Sequence, residues 1–226
     1  MVRSRQPLTP ERVAGAARAV ADREGLEQVT MRRVAAELGV EAMSLYHHVA
    51  SKEALLDGLV EALVAEVLST VARVEADAPD PSWRRTLRRR FLTARAVMLR
   101  HPWAPRLIAG RATAPPTLYA YYDGVVATMV EGGLSYHLAH RALHAFGSMP
   151  LGFSQELFAP AGQDAEADPA AQARMAELVP HLAAMVGAEV HAAGDDVLGW
   201  CDSQTEFEFT LDLLLDGLER QSLTRG

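Results

Sequence analysis

The sequence has almost no cysteine and no long apolar run. Its one cysteine, Cys201, excludes an intramolecular disulfide framework and any metal site built from a cysteine cluster. No apolar stretch approaches the roughly 20 residues of a membrane-spanning helix. The first residues, MVRSRQP, also lack the apolar segment of a signal peptide. We therefore expect a cytoplasmic protein without a membrane partner.

The chain also lacks the sequence patterns that mark common enzyme sites. It contains no Gly-rich phosphate loop, no nucleophile elbow and no paired metal motif. Nowhere do apolar and polar residues alternate with the period of a β-strand. These absences predict an all-α protein that is not an enzyme and needs no cofactor and no metal.

Lysine is nearly absent too, because Lys52 is the only lysine among 22 basic residues. The net charge is −7, but its distribution is uneven. Residues 1–60 hold eight basic and eight acidic side chains, whereas residues 61–226 hold fourteen and twenty-one. A neutral N-terminal part on an acidic remainder favours docking on DNA through one side of the molecule.

The segment that begins at Thr30 has the pattern of a helix-turn-helix. Thr30 can cap a first short helix, and Gly39 supplies the left-handed conformation that ends it. A second helix of about seven or eight residues follows from about Glu41. Leu45 and Val49 are four residues apart and bury one side of that helix. Its size suits a DNA major groove.

The side chains left on the outer side of this second helix include Met43, Tyr46 and His47. A helix that exposes these residue types together needs a partner surface. Ser51 then caps the next helix and places Lys52 in its first turn, where a cation opposes the helix dipole. The arrangement is explained if a phosphate binds at that helix end.

The rest of the chain predicts further helices, about nine or ten in all. Residues 1–52 would form a three-helix DNA-binding domain, the head, and residues 53–226 a ligand-binding and dimerisation domain, the body. A long helix from Ser51 to about Val74 would connect the two. The predicted helices cover about 10–24, 30–38, 41–48, 51–74, 82–100, 103–110, 116–131, 135–158 with a kink at Pro150, 170–192 with an interruption near Pro180, and 203–221.

Residues 30–56 resemble the DNA-binding signature of the tetracycline-repressor (TetR) family. The matching elements are T-x-R-x-V-A-x-x-L-G-V, S-L-Y-H-H-V and S-K-E-A-L-L. Gly132-Gly133, Leu151-Gly152 and the C-terminal LLLDGLE resemble the tetracycline repressor's own subfamily. The resemblance implies a homodimeric repressor that binds a palindromic double-stranded DNA operator. A small-molecule inducer in the body would shift the connecting helix and release the DNA.

The resemblance also implies roles for individual residues in DNA binding. Arg32 would reach a base edge, while Ala42, Met43 and Tyr46 would meet base edges or thymine methyl groups. Ser44, His47, His48 and Lys52 would mostly hold phosphates. Because Ala42 and Met43 differ from the residues of the tetracycline repressor, its operator sequence does not transfer. The predicted DNA-binding residues are Thr30, Arg32, Ala42, Met43, Ser44, Tyr46, His47, His48 and Lys52.

The predicted ligand pocket departs from that of the tetracycline repressor. Leu68, Arg90, Ile108 and Gly124 stand where that repressor has polar groups against tetracycline and its metal, and only Glu156 keeps the family's acid. We therefore predict that magnesium–tetracycline is not the inducer. Arg90 suggests an acidic ligand, or else it points to solvent. The predicted ligand-binding residues are Leu68, Arg90, Ala94, Met98, His101, Trp103, Ile108, Tyr122, Met129, His140, Phe146 and Glu156.

The dimer would form through the predicted helix at 135–158 and the last helix. The predicted dimerisation residues are Leu143, Phe207, Leu211, Leu214 and Leu218. His137, His140 and His144 share one face of the first of these helices. They could bind a metal or sense pH, but such a row more often lines a pocket or a dimer seam, and we expect no metal.

A second hypothesis is a ligand-binding or enzymatic helical protein whose helix-turn-helix no longer binds DNA. Reversing the charges of Arg32 and Lys52 separates the two, since only a repressor would lose DNA binding while it kept dimerisation and ligand affinity. The sequence does not name the ligand, the operator or the target genes, and it does not distinguish a repressor from an activator.

Overall fold

The computed structural model describes residues 7–147, 149, 174, 176–188 and 203–223. In these ranges the chain forms ten α-helices and one 3₁₀ turn and contains no strand, so the all-α prediction is confirmed. The helices are α1 (Pro10–Glu24), α2 (Met31–Leu38), α3 (Ala42–Leu45), α4 (Lys52–Asp77), α5 (Trp83–Arg100), α6 (Ala104–Ala109), α7 (Pro116–Glu131), α8 (Tyr136–Gly147), α9 (Pro180–Ala188) and α10 (Ser203–Leu223), and the 3₁₀ turn is Leu26–Gln28.

Side-chain caps fix where several helices begin. The hydroxyl oxygens of Thr30 and Ser51 each accept a bond from the backbone N–H three residues along, at 3.1 Å. Thr9 and Ser82 cap α1 and α5 in the same way. A cap of this type contributes about 1 kcal/mol, which explains why the predicted starts agree with the structure.

Gly39 ends α2 as expected from its lack of a Cβ atom. Its φ of 67° and ψ of 35° lie in the left-handed region. The following Val40 N–H donates to the Ala35 carbonyl at 3.0 Å, which is the outer bond of a Schellman motif. The chain therefore reverses tightly between α2 and α3.

The second helix of the motif is shorter than predicted. Only Ala42–Leu45 is α-helical, instead of seven or eight residues. The Tyr46 N–H donates to the Met43 carbonyl at 3.2 Å, and the His48 N–H to the Leu45 carbonyl at 2.8 Å. These bonds span three residues rather than four, so the chain tightens into a turn after one helical turn.

The head has a core of small and branched apolar side chains. α1 packs against α2 and α4, and α2 packs against α3. The fully buried side chains of the head are Val13, Ala17, Val20, Val29, Val34 and Leu45.

α4 lies between the head and the helices of the body. Its 26 residues give a length of about 39 Å, and it runs three residues beyond the predicted end. It packs against α1 of the head and against α5, α6 and α7 of the body. This placement matches a connecting helix.

The chain divides into two compact units, residues 1–154 with 211–226 and residues 155–210. The first contains α1 to α8 and residues 211–223 of α10, and the second contains α9 and residues 203–210 of α10. The end of the helix predicted at 135–158, the kink at Pro150 and a loop predicted at 159–169 lie outside the described residues, apart from the helical Met149. Val179 forms a bend before Pro180 starts α9, in line with the predicted interruption. None of the described helices is long and apolar enough to cross a membrane.

Candidate DNA-binding surface and ligand cavity

The α2–turn–α3 segment exposes large apolar side chains at its tip. Met43 is 72% exposed and Tyr46 is 46% exposed, while Leu45 between them is fully buried. Leu45 anchors α3 to the head core, so its neighbours in the chain are directed outward. An exposed Met and Tyr on so short a helix are typical of a contact surface.

Arg32 and Arg33 are adjacent in α2 but have different surroundings. The Arg33 guanidinium lies 2.6 Å from the Glu24 carboxylate and 3.0 Å from that of Glu37. Its hydrogen bonds, together with those of Arg23, lower the pKa of Glu24 to about 2. The exposed Arg32 forms no hydrogen bond or ion pair with any residue in the described part of the chain. Arg33 is thus held within the head, and Arg32 is available to a partner.

Lys52 begins α4 and is also exposed. Ser51 satisfies only the Ala54 N–H, at 3.1 Å, so the N–H groups of Lys52 and Glu53 at the helix start lack an intrahelical acceptor. Within the described ranges no carboxylate pairs with Lys52. The ammonium and the helix end can therefore hold an anion together.

The other predicted DNA-binding residues lie on the same consecutive elements. Thr30 is the cap of α2, and Ala42 and Ser44 are half-buried in α3. His47 and His48 are exposed in the turn after α3.

A cavity lies among five helices, α4 to α8. Its volume is about 50 Å³, room for a few water molecules. Pockets for drug-sized ligands are several times larger, so a ligand of that size must displace the cavity wall. No charged side chain of the described residues lines the cavity. The lining residues are Val64, Val67, Phe91, Ala94, Met98, Ile108, Leu118, Tyr121, Tyr122, Phe146 and Gly147.

Aromatic rings dominate this lining. The Phe91 and Phe146 rings are stacked, with centroids 4.7 Å apart and planes inclined by 22°. Tyr121 meets Tyr122 edge-on, with centroids 5.9 Å apart. The Tyr121 hydroxyl is buried and has no hydrogen-bond partner among the described residues. Burial raises the pKa of this hydroxyl above the ordinary value of a tyrosine, which is itself protonated at neutral pH.

Five of the predicted ligand-binding residues line this cavity: Ala94, Met98, Ile108, Tyr122 and Phe146. Others lie elsewhere. Leu68 is half-buried, Met129 is fully buried in α7 and His140 is exposed, while Glu156 lies outside the described residues. Six further residues also line the cavity: Val64, Val67, Phe91, Leu118, Tyr121 and Gly147. The helical spacing of apolar residues is the same for core and cavity positions, so it does not separate the two.

Arg90 does not line the cavity. Its guanidinium binds the Glu75 carboxylate, with Nη2 at 3.0 Å from Oε2, and Nη1 also donates to the Gly124 carbonyl. Arg90 is thus neither directed to solvent nor available to an acidic ligand.

His101 and Trp103 bind the head. The His101 Nδ1 and the Trp103 Nε1 each lie 2.7 Å from the same oxygen of Asp22, in α1. The His101 Nε2 lies 3.4 Å from Glu66 of α4, which Arg18 of α1 also contacts at 2.6 Å. We call these five residues the clasp. It joins α1 to α4 and to the α5–α6 junction.

A second, open groove of about 230 Å³ lies between α8 and α10. Leu213 lines it and is 53% exposed. The predicted dimerisation residues Leu214 and Leu218 also line it, and Leu143 is half-buried in α8. Phe207 and Leu211 are fully buried within a single chain.

The three histidines of α8 are exposed. The His140 and His144 rings meet edge-on, with centroids 4.7 Å apart. In the described part of the chain, no group of three His, Cys, Asp or Glu side chains could hold a metal ion.

The sequence matches two family models. Residues 15–59 match bacterial regulatory proteins of the tetR family, and residues 75–222 match the tetracycline repressor-like C-terminal domain. An HTH-type transcriptional regulator of Saccharopolyspora erythraea is 34% identical over 131 residues, 58% of this chain and 53% of that protein. The match thus spans about half the length of that relative.

Two further similarities cover nearly the whole chain. Tetracycline repressor protein class C of Escherichia coli is 31% identical over 201 residues, which are 88% of this chain and 85% of the repressor. The crystal structure of a possible TetR family transcriptional regulator from Streptomyces coelicolor A3(2) is 29% identical, with a TM-score of 0.70. That match covers 93% of this chain and 98% of the other.

The matched regions contain the features described above. The N-terminal match includes the exposed tip, Arg32 and Lys52, and the C-terminal match includes most of the cavity lining. The relatives are regulators of transcription, so the prediction that the chain is not an enzyme is confirmed. This chain belongs to the tetR family of bacterial transcriptional regulators and carries a tetracycline repressor-like C-terminal domain.

Proposed function

We propose that this protein is a repressor that binds a palindromic operator as a homodimer and leaves it when a small molecule occupies the cavity. The contrast between Arg32 and Arg33 carries the proposal. Arg33 is held by two carboxylates, whereas the neighbouring Arg32 is exposed and its side chain pairs with none of the described residues. A cation kept unpaired next to exposed Met43 and Tyr46 suits a base edge and its surrounding groove.

The two predicted domains would have separate roles. Residues 1–52 would bind DNA, and residues 53–226 would bind the ligand and dimerise. Lys52 and the N-terminus of α4 would hold a phosphate and fix the orientation of the head on the duplex. Base contacts from Arg32, Met43 and Tyr46 would then select the sequence.

Coupling between cavity and head would run through α4 and the clasp. Val64 and Val67 of α4 line the cavity, and Glu66 between them belongs to the clasp. A ligand that moves this part of α4 would therefore move Glu66. Glu66 contacts His101, which follows α5, and Arg18, which lies in α1 of the head. Two heads read half-sites about 34 Å apart, so a small shift breaks the register.

The groove between α8 and α10 would be the dimer interface. It is open, and its lining combines apolar side chains, among them the exposed Leu213, with the polar Arg141 and Gln221. A two-fold pairing would cover the same groove on both chains.

We expect Leu213→Glu to convert the dimer to a monomer, because each interface would lose two apolar side chains and would have to remove two carboxylates from water. Size-exclusion chromatography with light scattering should give twice 24.5 kDa for the wild type and 24.5 kDa for the variant at micromolar concentration. Tyr119→Glu, which places the same charge on an exposed position of α7 outside the groove, should remain dimeric. A monomeric wild type, or a dimeric Leu213→Glu variant, would contradict the proposed interface.

Magnesium–tetracycline should not bind tightly. The cavity wall carries no charged side chain among the described residues, and Ile108 and Leu118 present only apolar groups. A bound metal complex would leave polar groups unpaired, which is costly in an apolar site. Isothermal titration of the full-length protein should detect no binding at micromolar tetracycline in millimolar magnesium. A dissociation constant of micromolar or below would refute this prediction.

A further inference from the structure

The cavity offers a ligand almost no charge. Among the described residues, its wall consists of aliphatic and aromatic side chains together with two phenols, Tyr121 and Tyr122. Arg90 of α5, which the sequence suggested as a partner for an acidic ligand, is bound by Glu75 and by the Gly124 carbonyl. A ligand carboxylate would be buried there without a counter-ion, which strongly disfavours binding. The chemistry of the wall therefore selects an uncharged molecule.

The stacked rings of Phe91 and Phe146 favour a ligand of a particular shape. Their rings are inclined by only 22°, with centroids 4.7 Å apart. Nearly parallel rings present a flat face to whatever enters beside them, and aromatic partners gain from offset stacking on such a face. Saturated or bulky molecules would leave this face poorly filled.

The Tyr121 hydroxyl adds a polar requirement. Tyr121 lines the cavity, and none of the described residues accepts the hydrogen of its hydroxyl. The hydroxyl oxygen is itself buried, so a ligand reaches it when it displaces the cavity wall. Native proteins rarely leave a buried hydroxyl unpaired. Because the hydroxyl keeps its proton at neutral pH, it acts as a donor toward a neutral acceptor.

We propose that the cavity binds an uncharged, flat aromatic molecule that carries a hydrogen-bond acceptor, and that the Tyr121 hydroxyl donates to that acceptor. This inference rests on the proposed function, because it takes the cavity as the inducer site. It assigns the selection of the ligand to Tyr121 and rejects the acidic ligand that Arg90 suggested.

Three probes of one shape test the proposal. Fluorene is flat and has no acceptor, 9-fluorenone adds one carbonyl oxygen, and 9-fluorenone-2-carboxylate adds a negative charge. The cavity volume of about 50 Å³ means that each probe must displace the wall. Fluorene and fluorenone have nearly the same shape, so the free-energy cost of displacing the wall is the same for both. That cost therefore cancels in the ratio of their dissociation constants.

Equilibrium dialysis of the full-length protein measures that ratio in the wild type and in Tyr121→Phe. We expect the preference for fluorenone over fluorene to fall about tenfold in the variant, since one buried hydrogen bond is lost. Tyr119→Phe removes an exposed hydroxyl outside the cavity and should leave the ratio unchanged.

The carboxylate should bind the wild type at least tenfold more weakly than fluorenone. Tyr121→Phe should melt at or above the wild-type temperature, because it removes an unpaired buried hydroxyl.

An unchanged ratio in Tyr121→Phe, a carboxylate that binds as tightly as fluorenone, or no binding of any probe up to its solubility limit would each overturn the proposal. A DNA-binding assay run in parallel separates this inference from the proposed function. If the probes follow the expected order while the protein binds no DNA, the repressor proposal fails and the ligand class stands. If the protein binds DNA but the probes do not follow the expected order of affinity, the proposed ligand class is refuted and the repressor proposal stands.

Discussion

Replacing Arg32 with alanine should weaken binding to the operator by about 30-fold to 10⁴-fold. A bidentate contact between arginine and guanine contributes about 1 to 3 kcal/mol, and a dimer places two copies of Arg32 on each operator. Fluorescence anisotropy on a labelled duplex from the DNA flanking the protein's own gene measures the loss. Because the contact would read a base, binding to unrelated DNA should fall much less, and discrimination at one position of each half-site should relax.

Arg33→Ala is the matched control for this experiment. This variant removes the same charge from the next residue of α2. In the wild type, however, the Arg33 guanidinium is paired with Glu24 and Glu37. Salt bridges of this partly exposed kind contribute little to stability, so the head should stay folded. We expect Arg33→Ala to weaken operator binding less than tenfold. Equal losses from the two variants would mean that only net charge matters and that Arg32 reads no base.

Removing either ring of the Phe91–Phe146 stack should strongly destabilise the protein. Both side chains are essentially fully buried, and truncation of a buried phenylalanine to alanine costs about 3 to 5 kcal/mol. For a chain of this size that corresponds to a fall in Tm of roughly 6 to 20 °C. Urea unfolding followed by circular dichroism, at one fixed protein concentration, measures the change for each variant.

The double variant Phe91→Ala/Phe146→Ala tests whether the two rings act as a pair. Stacked rings at 4.7 Å should couple by about 0.5 to 1.5 kcal/mol, so the double variant should lose less stability than the two single variants added together. Tyr119→Ala truncates a ring that is 63% exposed and should change stability by less than about 0.5 kcal/mol. A loss below about 1 kcal/mol in either single variant would contradict the position of these rings in the core.

Local signals in the sequence predicted most helix boundaries. Thr30, Ser51 and Ser82 cap helices through oxygens that reach only three residues along the chain, so their neighbours suffice to identify them. Gly39 is equally local, since its positive φ is a property of one residue. The length of α3 was predicted less well, because the tightening after Leu45 leaves no mark in the spacing of apolar residues.

The surroundings of Arg90 and His101 depend on contacts between residues that lie far apart in sequence. Arg90 meets Glu75 fifteen residues away, and His101 meets Asp22 at a separation of 79 residues. No pattern within one helix reports such partners, so the sequence left open whether Arg90 faced a ligand. The exposed tip at Met43 and Tyr46 was predicted because an exposed apolar residue on a short amphipathic helix is visible from its spacing alone.

The measurement that tests the central claim most directly is a footprint on the DNA that flanks the protein's own gene, with the probe 9-fluorenone absent and then present. The account predicts protection of two half-sites whose centres are about one helical turn apart, by two protomers, and loss of that protection when the probe is bound. Absence of protection even at low salt would contradict the assignment as a DNA-binding repressor. Protection that persists when dialysis shows the cavity to be occupied would contradict the coupling between cavity and head.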